Sequence, residues 1–168
     1  MGEGFRVERV TRDNWHEAMA LEIAPEQRAF VPSVTYSLAK AFVEPDGKKY
    51  EPYVVYSGGT AVGFYMLSHT PGDETKVYFT NFLIGREHQG RGHGRAALVD
   101  CLESVKERFP ACEEVYLAVH PENEVATRLY ESLGFYKFGF VIDGEDGMRV
   151  NLKKIGEQNS DRRTAEGD

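Results

Sequence analysis

Two stretches of the chain carry polar residues in patterns that suit a reaction. The first runs Arg86-Glu87-His88-Gln89-Gly90-Arg91-Gly92-His93-Gly94-Arg95, between a strand-like run and a helical pattern. At such a junction the first backbone N–H groups of the helix have no intrahelical partner and converge on one spot, and the helix dipole adds partial positive charge. A phosphate or pyrophosphate is the natural guest. Glycines let the backbone approach it with no side chain in the way, and Arg91 and Arg95 add charge at the rim. A P-loop would need Lys and then Ser or Thr after its last glycine, whereas Arg95-Ala96 stands here. A dinucleotide turn would read G-x-G-x-x-G early in a βαβ unit, and this one reads G-x-G-x-G after antiparallel-looking strands. A glycine-rich turn that holds nothing satisfies the same residues. The second stretch is Asn123-x-x-Ala126-x-x-Leu129-Tyr130-x-x-x-Gly134-Phe135. Its Tyr130 offers a phenolic proton, and the plain alternative is a core aromatic beside the packing residues Ala126 and Leu129.

Regular elements must position both stretches. Phe5, Val7 and Val10 read as a short strand, and Thr11 or Asp13 can cap a helix through about Leu21. Ser33 to Phe42 predicts a second helix, ended before Pro45-Asp46-Gly47. Tyr53 to Tyr56, the Gly58-Gly59 turn, Thr60 to Ser68 and Lys76 to Ile84 predict an antiparallel meander. After the glycine turn, Ala97, Leu98, Cys101, Leu102 and Val105 share one face of a helix from about Gly92 to Phe109. Val115 to Val119 reads as a buried strand, and Asn123 to Leu133 as an amphipathic helix closed by Gly134. Phe138 to Ile142 and Met148 to Leu152 form a last hairpin around Asp143 to Gly147. The expectation is one domain over residues 1–155 and a polar, disordered tail over 156–168.

Composition limits the partners. At 168 residues with 41% hydrophobic and 28% charged residues, the chain suits one globular domain. A net charge of -7 disfavours nucleic acid and favours cations, amines among them. No run is long enough for a membrane span and the first residues do not resemble a signal peptide, so the expected location is the cytoplasm, with no membrane partner. Cys101 and Cys112 read as reduced thiols, and His16, His69, His88, His93 and His120 show no zinc spacing. No G-x-S-x-G elbow occurs.

Gln89-x-x-Gly92-x-Gly94 resembles the pyrophosphate loop of the GNAT superfamily of acetyltransferases. The Asn123 to Phe135 stretch, about 30 residues later, resembles a second signature of the same family. The resemblance covers about Tyr50 to Leu152. It implies an α/β (α+β) fold: a mixed, mostly antiparallel central sheet flanked by helices, splayed between its fourth and fifth strands, with acetyl-CoA in the gap. It further implies that Phe82, Leu83 and Ile84 pair with the pantetheine arm, that Gln89, Gly90, Arg91, Gly92, His93, Gly94 and Arg95 hold the pyrophosphate, that Asn123 contacts pantetheine, and that Tyr130 protonates the leaving thiolate. No metal is needed, and homodimers are common in the family.

An amine acceptor must lose a proton before it attacks, since a free alkylamine has a pKa of about 10. Many relatives place a glutamate for this on the strand before the glycine turn, but Tyr78-Phe79-Thr80-Asn81 has no carboxylate. A water chain, Glu22 or Glu26 can take that role. Leu21-Glu22, Gln27, Phe30-Val31 and Ser37 to Phe42 resemble the first helices of bacterial spermine/spermidine acetyltransferases. That resemblance implies a polyamine or diamine acceptor, whose positive charges suit an acidic pocket: Glu22 and Glu26 are the candidates, with Asp143 or Glu145 beside them, and Tyr36 can pack against an alkyl chain or a cation. Two alternatives stand beside it: acetylation of a protein, peptide or other small amine, and a non-catalytic sensor that binds acyl-CoA.

Overall fold

The computed structural model describes residues 4–155; the predicted polar tail lies outside them. Seven strands form one sheet: β1 (Arg6–Arg9), β2 (Lys49–Ser57), β3 (Thr60–Thr70), β4 (Asp73–Ile84), β5 (Glu114–Val119), β6 (Tyr136–Ile142) and β7 (Glu145–Asn151). The spatial order is β1-β2-β3-β4-β5-β7-β6, and every pairing is antiparallel except β4 with β5. Helices α1 (Trp15–Met19), α2 (Val34–Val43), α3 (His93–Arg108) and α4 (Glu124–Ser132) flank it. This is the mixed, mostly antiparallel α/β architecture expected from the sequence.

Two apolar layers explain why the helices divide between the faces. Leu98, Cys101, Leu102 and Val105 of α3 and Tyr130 of α4 pack on Val77, Phe79, Val115, Leu117 and Met148. On the other face Ala18 of α1 and Val34 of α2 meet Val54, Phe64, Met66 and Leu83. Residues alternating along one strand thus enter opposite layers, as a sheet covered on both sides requires.

The feature that matters for the site is where the sheet comes apart. β4 and β5 pair only at Lys76 with Glu114, Val77 with Val115 and Tyr78 with Tyr116. Beyond Tyr78, β4 stays with β3 and β5 stays with β7. A bulge helps turn β4 away. Phe64 opposes Leu83 and Met66 opposes Thr80, so β4 holds one extra residue in this interval. Asn81, within it, has a left-handed φ of 53°, and its Nδ2 donates to Ser37 Oγ of α2 at 2.8 Å.

Three boundaries differ from expectation. Neither Thr11 nor Asp13 caps α1, which starts at Trp15 and ends at Met19 instead of near Leu21. Asn14 ties the turn first, accepting from the Thr11 N–H at 2.7 Å and donating to Arg9 O at 3.0 Å. The meander strands are longer than their apolar runs, because polar ends such as Asp73 to Lys76 still complete backbone ladders. The last hairpin turns on Asp143-Gly144 alone, both at positive φ (50° and 82°), which suits a two-residue turn. Glu145 is therefore already in β7.

Candidate active site

The divergence of β4 from β5 opens a cleft of about 960 Å³. It is lined by the end of β4, the glycine turn, the first residues of α3, the face of α4 around Tyr130, and the outer ends of β5 and β7. Its volume is large enough for a cofactor-sized ligand.

One half of the cleft is built for an anionic, extended guest. Gly85 N–H donates to Val62 O at 2.9 Å, so alternation along β4 aims the backbone groups of Ile84 into the gap and those of Leu83 toward β3, while Phe82, in the bulge with Asn81, lines the cleft. Ile84 O accepts from Gln89 Nε2 at 2.9 Å, and Gln89 is also bonded to Gln27. These bonds hold the loop that leads into α3. Gly90 and Gly92 have φ of 72° and 83° with open space where a side chain would project, so the turn keeps a left-handed course and a bare surface. Gly92 is the N-cap of the 16-residue α3 and offers no side chain to its N–H groups, which leaves them for a phosphate. Burial, then the nearby His88 and Arg91, holds His93 below its usual pKa. Arg95 lines the cleft and donates to Ser132 Oγ at 2.9 Å, whereas Arg91 is not among the lining residues.

α4 forms the facing wall. Asn123 caps it, its Oδ1 accepting from the Ala126 N–H at 3.3 Å. Tyr130 is 6% exposed and packs against Phe79 and Phe135. Among the described residues its hydroxyl has no hydrogen-bond partner, although it lines the cleft. Burial, reinforced by the negative field of Glu145, pushes its pKa up, so the phenol stays protonated at any physiological pH.

The other half faces α2. Tyr36, Asp46 and Tyr50 line it on one side, His120, Asp143 and Glu145 on the other. Tyr50 donates to Asp46 Oδ2 at 2.7 Å. Burial and that carboxylate push the Tyr50 phenol up. Burial would raise the Asp46 carboxyl, but the bonds from Tyr50 and the Lys48 N–H outweigh it and the net shift is downward. His120 Nδ1 accepts from the Glu122 N–H at 3.2 Å, and its ring packs on Phe30. Two cations share this half, each over an aromatic face: Lys40 Nζ lies 4.9 Å from the Tyr50 ring and Lys48 Nζ 4.6 Å from the Tyr78 ring.

The predicted acceptor residues separate here. Glu26 and Tyr36 line the cleft. Glu22 does not: its side chain is 75% exposed and lies 3.8 Å from Arg86 Nη2, while its carbonyl accepts from the Arg86 N–H. Asp46, Tyr50, Ser68 and His120 went unnoticed in the sequence as site residues. Asp46 sits in what reads as a plain Pro-Asp-Gly turn, and only tertiary packing brings it to the gap.

Residues 12–135 match the Acetyltransferase (GNAT) family. The chain belongs to that family. It is accordingly an acetyl-CoA-dependent N-acetyltransferase, and the cleft is where the family likeness and the geometry meet. This GNAT acetyltransferase is 29% identical to the spermine/spermidine N(1)-acetyltransferase of Bacillus subtilis (strain 168) over 159 residues, covering 90% of this chain and 99% of that one. It is 37% identical over 86 residues to the N-alpha-acetyltransferase RimI of Mycobacterium tuberculosis, but that match covers only 49% of this chain and 50% of the other. A crystal structure of the spermidine N-acetyltransferase of Vibrio cholerae with CoA and spermine shares the fold, with a TM-score of 0.68 at 21% identity over 90% of this chain and 97% of that one.

Proposed function

We propose that this enzyme transfers the acetyl group of acetyl-CoA directly to a primary amine of a polyamine or diamine such as spermidine or spermine. The observation that carries the reading is the charge of the acceptor half of the cleft. Glu26, Asp46, Asp143 and Glu145 face it against Lys40 and Lys48, and both lysines are already engaged with tyrosine rings. Such a cleft favours an extended polycation over a neutral or anionic acceptor. Tyr36 and Tyr50 add surfaces for its alkyl segments and ammonium groups. The full-length likeness to a spermine/spermidine acetyltransferase supports the same acceptor. The likeness to RimI, limited to about half of each chain, supports a protein N-terminal amine less well.

In this reading the glycine turn, Arg95 and the α3 N-terminus hold the pyrophosphate, and the backbone at Phe82 and Ile84 pairs with the pantetheine arm. A backbone N–H of the Phe82 to Ile84 segment stabilises the oxyanion, and Tyr130 delivers the proton to the departing sulfur. Neither cysteine carries the acetyl group. Cys101 is fully buried and Cys112 is 7% exposed, and burial pushes both thiols up, away from the reactive thiolate.

The test follows free coenzyme A thiol released from acetyl-CoA over a panel of spermine, spermidine, short diamines, amino acids and peptides. Release with polyamines and diamines is the expected result. Turnover of amino acids or peptide N-termini with none of spermidine or spermine would overturn the acceptor.

A further inference from the structure

Amine acetylation leaves one proton without a destination. The acceptor arrives as an ammonium, and β4 brings no carboxylate to the gap: Thr80 and Asn81 are tied to each other and Asn81 to Ser37. The carboxylates that reach the cleft differ in what already holds them. Asp46 accepts from the Tyr50 hydroxyl and the Lys48 N–H. Glu124 pairs with Arg128 on the outer surface of α4, and Glu26, Glu122 and Asp143 are exposed at the rim. Glu145 alone among them is partly buried, and among the described residues its carboxylate has neither a hydrogen-bond nor an ion-pair partner.

Its position follows from the register. Val119 pairs with Asp146, so the next positions outward on the two strands are His120 and Glu145, at the point where β5 has left β4. The tight Asp143-Gly144 turn fixes Glu145 there. From α4, Tyr130, a residue 6% exposed, presents an unpartnered hydroxyl to the same cleft. Two unpartnered groups with complementary protonation tasks thus address one volume, an acceptor of protons and a donor.

We propose that Glu145 is the proton acceptor of the acetyl transfer; the proposal rests on the amine-acetylating reading above. Its carboxylate takes a proton from the bound ammonium and passes it to cleft water. The neutral nitrogen then attacks the thioester carbonyl. As the N–C bond forms and the C–S bond breaks, the proton shed by nitrogen is balanced by the proton that Tyr130 gives to sulfur, and Tyr130 is reprotonated. The products are the amide, coenzyme A thiol and one proton in solvent. Burial and the adjacent Asp143 move Glu145 toward the basicity such a role needs, while His120 opposes them. Tyr130 faces it from α4, and Asp46, Lys40 and Lys48 from across the cleft.

The experiment uses the full chain, acetyl-CoA and whichever amine of the panel turns over best. Glu145→Gln keeps size and polarity but cannot accept the proton. The expected kcat falls about 100-fold, with the acceptor KM within about threefold and acetyl-CoA affinity unchanged. The kcat profile of the unmodified protein falls on the acid side with unit slope, since the carboxylate form is the active one, and that limb disappears in the variant. A variant with full kcat and a raised acceptor KM would make Glu145 an ammonium anchor and overturn the proposal. So would an unmodified protein with no acid limb, whatever the stability of the variant. Absence of turnover on every amine would overturn the acetylation reading and this inference with it.

Discussion

Two regions of one sheet treat their polar groups in opposite ways. Where β2, β3 and the last turn of α3 meet, Glu51 is 8% exposed and fully engaged. It accepts from Arg108 at 2.6 Å and from Tyr53 at 2.8 Å, with Arg9 at 3.3 Å and His69 at 3.7 Å. In the cleft, Tyr130 and Ser68 are equally buried as residues, yet among the described residues neither hydroxyl has a hydrogen-bond partner. A cluster whose polar groups are tied to one another reads as fold, and hydroxyls left open to a cleft read as site. The saturated cluster has one exception, since His69 Nδ1 is buried without a partner beside Phe109.

The comparison breaks most visibly at Tyr130. Tyr130→Phe removes a hydroxyl that bonds to nothing, so the midpoint of urea unfolding is expected to move by less than about 0.5 kcal/mol in stability. Turnover is expected to fall about 1000-fold, equivalent to about 4 kcal/mol on the barrier. Equal losses of stability and rate would return Tyr130 to the core.

Glu51→Ala should do the reverse. Removing one partner of a buried ion pair costs about 3–5 kcal/mol, and Arg108 is a third exposed, so solvent reduces the expected loss to about 2 kcal/mol. The kcat should not change. Acid should do the same to the unmodified protein. Burial would raise the Glu51 carboxyl, but Arg108, Tyr53 and Arg9 together set it below its ordinary value. Its contribution is therefore complete above the ordinary carboxylate range and is lost as pH falls through the lowered folded value. Urea midpoints at pH 7 and on acidification, for protein and variant, should converge as that contribution disappears.

How much of this was legible in the sequence divides along the same line. The glycine turn and the Asn123 to Phe135 stretch were readable because backbone needs dictate their residues: positive φ at Gly90 and Gly92 and a cap at Asn123. Ser33 was readable as the start of α2 for the same reason, accepting from the Tyr36 N–H at 3.1 Å. The acceptor half was not, because it is assembled from positions far apart in the chain. Asp46 is a turn residue until Tyr50 folds back on it. Glu22 and Glu26 look alike in sequence, but the turn at Pro25–Ala29 leaves only Glu26 at the cleft. The ion cluster around Glu51 was equally hidden, joining residues 9, 51, 69 and 108.

The smallest expected effect falls on a residue that belongs to both categories. Asn123 caps α4 through Oδ1, and its motif position in this family suggests that its amide also reaches the pantetheine arm. A cap bond of 3.3 Å is long, so Asn123→Ala should cost about 1 kcal/mol or slightly less. Asn123→Ser restores a cap acceptor but not the amide. If the two roles are separate, Ser recovers the stability lost in Ala, while both variants bind acetyl-CoA about threefold more weakly by calorimetry. If Ser recovers affinity together with stability, Asn123 acts on the coenzyme only by holding the start of α4, and it joins Glu51 on the structural side of the comparison.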